Sequence, residues 1–145
     1  MSDYADTGFI CSLYAPDANT ERACTFMDRQ RAPVGFSWLN QIEFRNALRL
    51  RVFRKEITPE QRDHSLNLFL ADLNAGIFEN RDAAQSNLLI ETERLSSRHS
   101  EKLGTRSLDV LHVAMALSFG CRRILSFDTR QVKLARAAGL VVPKL

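Results

Sequence analysis

Cysteine is scarce in this chain and nowhere paired. Cys11, Cys24 and Cys121 stand far apart with no C-x-x-C spacing. This excludes a disulfide framework and a cysteine-based zinc site, and predicts a reducing, cytoplasmic address. Long apolar runs are missing too. The longest stretches without a formal charge, such as residues 110–121, fall far short of the ~18 apolar residues of a membrane span. The opening Met1-Ser2-Asp3-Tyr4 has neither a basic n-region nor an apolar h-region, so no secretory signal is expected. Internal repeats, low-complexity tracts and Pro/Gly/Ser-rich linkers are absent, and 145 residues hold one core, so a single domain over 1–145 is expected.

What is present is the balance of a globular domain, with 45% hydrophobic and 26% charged residues. Twenty basic against seventeen acidic residues give a net charge of +3. That mild excess permits a nucleic-acid partner without demanding one, because clustering matters more than totals. The densest basic run lies over residues 38–55, with Arg45, Arg49, Arg51, Arg54 and Lys55. It reads either as a solvated helix face or as a phosphate track. Aromatic residues do not interleave with these bases, so no single-strand stacking platform is indicated.

Short β-like runs alternate with helical ones, which predicts an α/β fold around a mainly parallel sheet of four to five strands. Strands are expected over 2–5, 32–36, 77–79, 123–127 and 140–142. Helices are expected over 7–14, 19–31, 38–55, 59–75, 83–99, 108–119 and 130–138. Ser37 and Ser107 read as helix caps, and Thr58-Pro59-Glu60-Gln61 is a capping box with proline in the first helical position.

Four acids then stand out. In an open parallel sheet, ligands sit beyond the carboxyl ends of the strands, near a topological switch point. Asp6 follows the first strand and Asp128 the fourth. Asp109 falls in the first turn of its helix, where the macrodipole favours an acid. At ~100° per residue, Glu43 lies between Leu39 and Leu50, at the rim of a side that also holds Ile42 and Phe53. Each has an ordinary structural use as well: Asp6 and Asp128 as N-caps, and Glu43 as an ion-pair partner of Arg49 or Arg54. Converging on one sheet edge, they form an oxygen-only donor set. Such a set selects hard cations, Mg²⁺ or Mn²⁺, and points to metal-assisted phosphodiester chemistry.

These residues, in order, resemble the PIN domain, and within it the small single-domain toxins of the VapC type. The resemblance rests on Tyr4-Ala5-Asp6-Thr7, on Glu43 within Leu39-Asn40-Gln41-Ile42-Glu43-Phe44, and on Ser107-Leu108-Asp109-Val110-Leu111-His112-Val113-Ala114. Ser126-Phe127-Asp128 followed by Ala138-Gly139-Leu140 completes it. It implies a three-layer fold and a Mg²⁺- or Mn²⁺-dependent endoribonuclease that acts on RNA. It further implies a homodimer neutralised by a small antitoxin. By role, Asp6, Glu43, Asp109 and Asp128 would be the catalytic and metal-binding acids, with Thr7 and Ser126 as supporting hydroxyls. Arg45, Arg49, Arg106 and Arg130 are candidate substrate contacts. Gly8 departs from the pattern, standing where a serine or other small polar residue is expected.

His64, His99 and His112 share no metal-ligand spacing; His112, one turn beyond Asp109, is within reach of the site but reads first as a helix-packing residue. Phe44, Leu48 and Phe53 are read as core or dimer-interface residues. A non-catalytic PIN-like module that binds RNA or protein is the alternative, and the presence of all four acids counts against it. A phosphoacceptor domain would want paired acids after the first strand, which the single Asp6 does not supply. DNA stays open as a substrate, since only readout of the 2′-OH would separate it from RNA.

Overall fold

Four three-residue strands organise the chain in a computed structural model that describes residues 2–145. Asp3–Ala5 (β1) leads into helices Thr7–Tyr14 (α1) and Thr20–Asp28 (α2), then Val34–Phe36 (β2). Trp38–Phe53 (α3) and Pro59–Asn74 (α4) precede Phe78–Asn80 (β3). Gln85–Leu103 (α5), Ser107–Ser118 (α6), Arg123–Leu125 (β4) and Thr129–Ala137 (α7) complete the order. The sheet runs β3-β2-β1-β4 with every pair parallel. The chain therefore steps outward from β1 to β3, then returns to place β4 on the other side of β1. That reversal puts the topological switch between β1 and β4, with Asp6 and Asp128 beyond their carboxyl ends.

Strand alternation builds the layers. Neighbouring residues on a strand face opposite ways, and Tyr4 and Ile124 enter one apolar cluster with Leu95, Val113, Met115 and Leu134. Ala5 and Leu125 enter the other with Phe9, Phe36, Phe44 and Phe69. Both clusters are fully buried, so the short sheet is covered on both faces, as a parallel sheet requires.

Several element boundaries differ from expectation, each for a physical reason. Strand β2 starts at Val34 because Pro33 has no N–H to give the ladder; the Val34 amide bonds Ile77 O at 3.0 Å. Helix α2 stops at Asp28 as its last turn tightens, with Arg29 N bonding Phe26 O and Gln30 N bonding Met27 O. Helix α5 runs four residues past His99 to Leu103, ended by Gly104 in the left-handed region at φ 63°. Strand β4 ends at Leu125, and the expected fifth strand is a single bridge of Val141 to Arg123.

Two corrections concern the helices that carry acids. Arg106, not Ser107, is the N-cap of α6, because the Asp109 carboxylate reaches back to accept the Arg106 amide at 3.3 Å. On α3 the buried side is Leu39, Asn40, Phe44 and Leu48, while Ile42 is 60% and Phe53 82% exposed. Phe44 and Leu48 are thus core, and Phe53 is surface. All three cysteines are free thiols. Among the described residues, no helix is long and apolar enough to cross a membrane.

Candidate active site

Asp6, Asp109 and Asp128 are brought to the sheet edge by the local rules that start their helices. Asp6 caps α1, its Oδ1 accepting the Phe9 amide at 2.8 Å, while its own amide bonds Leu125 O at 3.1 Å across the switch. Asp128 caps α7, its Oδ1 accepting from the Arg130 and Gln131 amides at 2.8 and 3.3 Å. Asp109 lies in the first turn of α6, and Glu43 in the second turn of α3. Capping therefore also sets where these side chains lie: the ordinary structural reading of Asp6 and Asp128 as helix caps holds, and both line the cleft.

Asp6, Glu43, Asp109 and Asp128 line one cleft of about 300 Å³, together with Thr7, Gly8, Arg106, Leu108, His112 and Gln131. Larger hollows of about 590 and 610 Å³ lie elsewhere, walled by residues such as Asn87 and Leu117 or Leu13 and His64. Neither gathers several carboxylates with a cation.

Positive charge enters the cleft from Arg106. Its Nε donates to Asp109 Oδ2 at 3.0 Å, and its Nη2 to Asp109 Oδ1 and Asp128 Oδ2, both at 3.3 Å. Glu43 meets neither Arg49 nor Arg54. Its Oε1 accepts from the Thr7 hydroxyl at 2.8 Å and lies 2.5 Å from His112 Nε2. His112 is buried and lines the cleft, so of its two readings the one that reaches the site holds over helix packing alone. Its signal was present in the sequence: it sits three residues after Asp109, on the same helix face.

Two of the cleft acids, Asp6 and Glu43, are shifted in opposite directions. Burial dominates at Asp6 and raises its carboxyl above the ordinary value, offset only in part by the Ser126 hydroxyl, the Phe9 amide and His112. At Glu43 burial pushes the same way. There, however, the hydrogen bond and charge of His112, with the Thr7 hydroxyl, outweigh it and hold the carboxyl below its ordinary value.

The supporting and basic candidates divide. Ser126 is buried beside the edge, its Oγ accepting the Asp128 amide at 3.1 Å. Thr7 and Arg106 line the cleft; Arg45, Arg49 and Arg130 do not. Arg45 is half-buried and Arg49 exposed along α3, and Arg130 is exposed on the first turn of α7. A hydroxyl-bearing residue in place of Gly8 has room, since a Cβ there would sit 3.5 Å from Asp6 Oδ1.

Whether a hard cation fits is decided by Arg106. Among the described residues, no three acids, histidines or cysteines stand close enough as placed to hold one ion. Two of the four carboxylates instead turn to the Arg106 guanidinium. A cationic group thus already occupies the gap between Asp109 and Asp128, and the groups it meets there are carboxylate oxygens. In charge and donor type the cleft suits Mg²⁺ or Mn²⁺ once that guanidinium moves aside.

Comparison with known proteins agrees with this architecture. Rickettsia felis VapBC2, solved with a DNA fragment from its promoter, superposes with a TM-score of 0.66 at 16% identity, covering 99% of this chain and 98% of that one. Neisseria gonorrhoeae FitAcB gives 0.65 at 18% identity over 97% and 95%. Mycobacterium tuberculosis VapC20, a toxin that cleaves the sarcin–ricin loop, gives 0.68 at 19% over 96% of each chain. No curated protein matches the sequence itself. The family model for the PIN domain matches residues 4–137. The chain therefore belongs to the PIN-domain family.

Proposed function

We propose that this PIN domain is a Mg²⁺- or Mn²⁺-dependent endoribonuclease and the toxin of a toxin–antitoxin pair. The observation that carries the reading is the convergence of carboxylates from four separate elements on the β1/β4 switch, with a cation already held between two of them. Asp6, Glu43, Asp109 and Asp128 would hold the metal. When bound, such an ion supplies the charge that activates a water and stabilises the leaving oxygen of a phosphodiester.

The chain's own residues prepare the site. Thr7 and His112 fix Oε1 of Glu43 by hydrogen bonds. Oε2 has no protein partner among the described residues, which leaves it to the cleft. Ser126 and the capped helix ends hold Asp6 and Asp128 in register with the sheet edge. Arg106, about 60% exposed, can pivot from carboxylate to substrate phosphate, where its fork matches two oxygens. Arg45, Arg49 and Arg130 lie outside the cleft and would meet the RNA backbone only beyond the scissile bond.

The partners follow from the same reading. A cognate antitoxin is suggested by the VapBC2 neighbour, and exposed Phe53, Leu89 and Ile90 offer apolar surface for protein contacts, including a homodimer. A cytoplasmic site of action suits an RNA target and three free thiols.

The test is cleavage of an RNA pool containing both stem-loops and single strands, with Mn²⁺ or Mg²⁺, with EDTA, and with Asp109→Asn. Cutting that needs metal and fails in the variant supports the nuclease, and a 2′-deoxy version of the pool separates RNA from DNA. Cutting that survives EDTA, or survives in Asp109→Asn, overturns it. RNA bound but uncut under every condition favours the non-catalytic binding module.

A further inference from the structure

A buried hydrogen-bonded chain runs from the core to Glu43. Tyr4, Ser37 and Asn40 are fully buried and His112 is nearly so. Tyr4 Oη lies 2.7 Å from His112 Nδ1, 3.0 Å from Asn40 Oδ1 and 3.1 Å from Ser37 Oγ. On its far side the imidazole meets Glu43 Oε1 through Nε2 at 2.5 Å. Asn40 closes a second branch: its Nδ2 donates to Thr7 Oγ1 at 3.1 Å, and Thr7 donates to the same Glu43 oxygen at 2.8 Å. Four elements contribute, β1, α1, α3 and α6, and both branches end on one oxygen of one carboxylate.

Counting donors fixes the direction of the chain. A neutral imidazole carries one N–H. Were it on Nδ1, a bare Nε2 lone pair would face a carboxylate oxygen at 2.5 Å, which is repulsive. Asn40 Oδ1 already accepts the Ser37 amide at 2.8 Å and the Ser37 hydroxyl at 3.0 Å. That releases the single Tyr4 proton to His112 Nδ1, and it fills the nitrogen that would otherwise compete. In the imidazolium form Nδ1–H donates to Tyr4 instead, and Nε2–H still points to Glu43. Both assignments follow from the network and put a donor on the cleft side. Every buried side-chain polar atom among the described residues is partnered. An apolar set of the same shape would pack the space without this accounting.

We infer that Tyr4 and His112 are positioning residues: Tyr4 holds the proton of His112 on Nε2, and His112 pins one Glu43 oxygen so that the other is presented to the cleft. Neither touches substrate or metal in this account. The inference rests on the proposed reading of Glu43 as a metal-binding acid and extends it into the core, to a residue whose hydroxyl lies behind the cleft wall.

The test measures Mn²⁺ affinity by calorimetry for the wild type, Tyr4→Phe, His112→Gln and His112→Met, each first shown folded by circular dichroism. Outer-shell changes of this kind cost about 10–100-fold in metal affinity. Tyr4→Phe is expected to weaken binding about tenfold and His112→Met up to about a hundredfold, while His112→Gln, which keeps an N–H toward Glu43, recovers most of the loss. Imidazole ¹⁵N shifts of the metal-free protein supply a second readout, with His112 protonated at Nε2 in the wild type. Wild-type affinity in both Tyr4→Phe and His112→Met overturns the inference, as does equal weakening in His112→Gln and His112→Met, which marks packing alone. A bare Nε2 overturns it directly. A wild type that binds no Mn²⁺ sinks the metal-site reading itself, and with it this extension.

Discussion

The Arg106 guanidinium spans from the N-terminus of α6 to Asp128 on α7, its Nη2 lying 3.3 Å from Asp128 Oδ2 while its Nε holds Asp109. Two acids of the proposed metal site are thereby neutralised by a cation that belongs to the chain. Exposed at about 60%, the Arg106 side chain gains little from these pairs, since exposed ion pairs contribute about 0–1 kcal/mol.

Arg106→Ala is therefore expected to separate two quantities that usually move together. Mn²⁺ binding should tighten, because the competing guanidinium is gone. RNA cleavage should fall in kcat/KM, because a phosphate contact is gone too. Calorimetry and single-turnover cleavage on the same preparation check this, with a stability change under about 1 kcal/mol. Weaker Mn²⁺ binding in the variant would show that Arg106 supports the metal site instead of competing for it.

Asp6 supplies a pH test in the metal-free protein. Its carboxyl is raised in the fold, from an ordinary value of 3.8, chiefly by burial. The stabilisation tied to its retained proton is fully present below the unfolded value and is lost as pH rises through the folded one. Glu43 has the opposite sign, with stabilisation present above its unfolded value of 4.5 and lost as pH falls through the folded value. Asp6→Asn keeps the helix cap but removes the buried charge. In EDTA, its Tm advantage over the wild type should be larger at pH 8 than at pH 4. An advantage that is flat or reversed with pH refutes the assignment.

Gly8 is exposed in the first turn of α1, and a Cβ there meets Asp6 Oδ1 only at ordinary contact, 3.5 Å. Gly8→Ser should fold, gain up to about 0.5 kcal/mol from helix propensity, and keep the cleft intact. Urea denaturation and Mn²⁺ affinity read both effects. A destabilised variant would mean that the turn needs glycine for reasons outside this contact.

At the amino end of the strands, Asp3 is fully buried and accepts from Arg123 Nε and Nη2 at 2.6 and 2.5 Å, with Gln30 adding a third bond at 3.1 Å. Arg123→Met leaves that carboxylate inside without its cation and should cost roughly 3 kcal/mol. Asp3→Asn should cost less, because Arg123 is partly exposed and can turn to water. Equal losses in urea denaturation would contradict this asymmetry.

The sequence made some parts of the site plain and hid others. Asp6 and Asp128 were legible because a strand ends and a helix begins at each, so one residue serves both cap and cleft. Asp109 was placed by the first turn of α6. Glu43 was found on a mistaken face: Ile42, Leu50 and Phe53 look like core by composition but are exposed, while Asn40 is buried. A polar residue drawn inside by partners on other elements leaves no trace in hydrophobic spacing, which is why the buried roles of Tyr4 and Asn40 do not show there. His112, by contrast, is legible from its place one turn beyond Asp109. Ser107 reads as the cap because serine commonly takes that position. The Asp109 carboxylate reaching back to the Arg106 amide could be seen only in three dimensions.

The most direct test of the central claim needs no knowledge of the RNA target. Mn²⁺ is titrated calorimetrically into the wild type and into Asp109→Asn, both folded and stripped with EDTA beforehand. Saturable binding by the wild type, lost or weakened at least about tenfold in Asp109→Asn, is the predicted result. No binding by the wild type, or equal binding by both, would contradict the account of the four acids as a metal site.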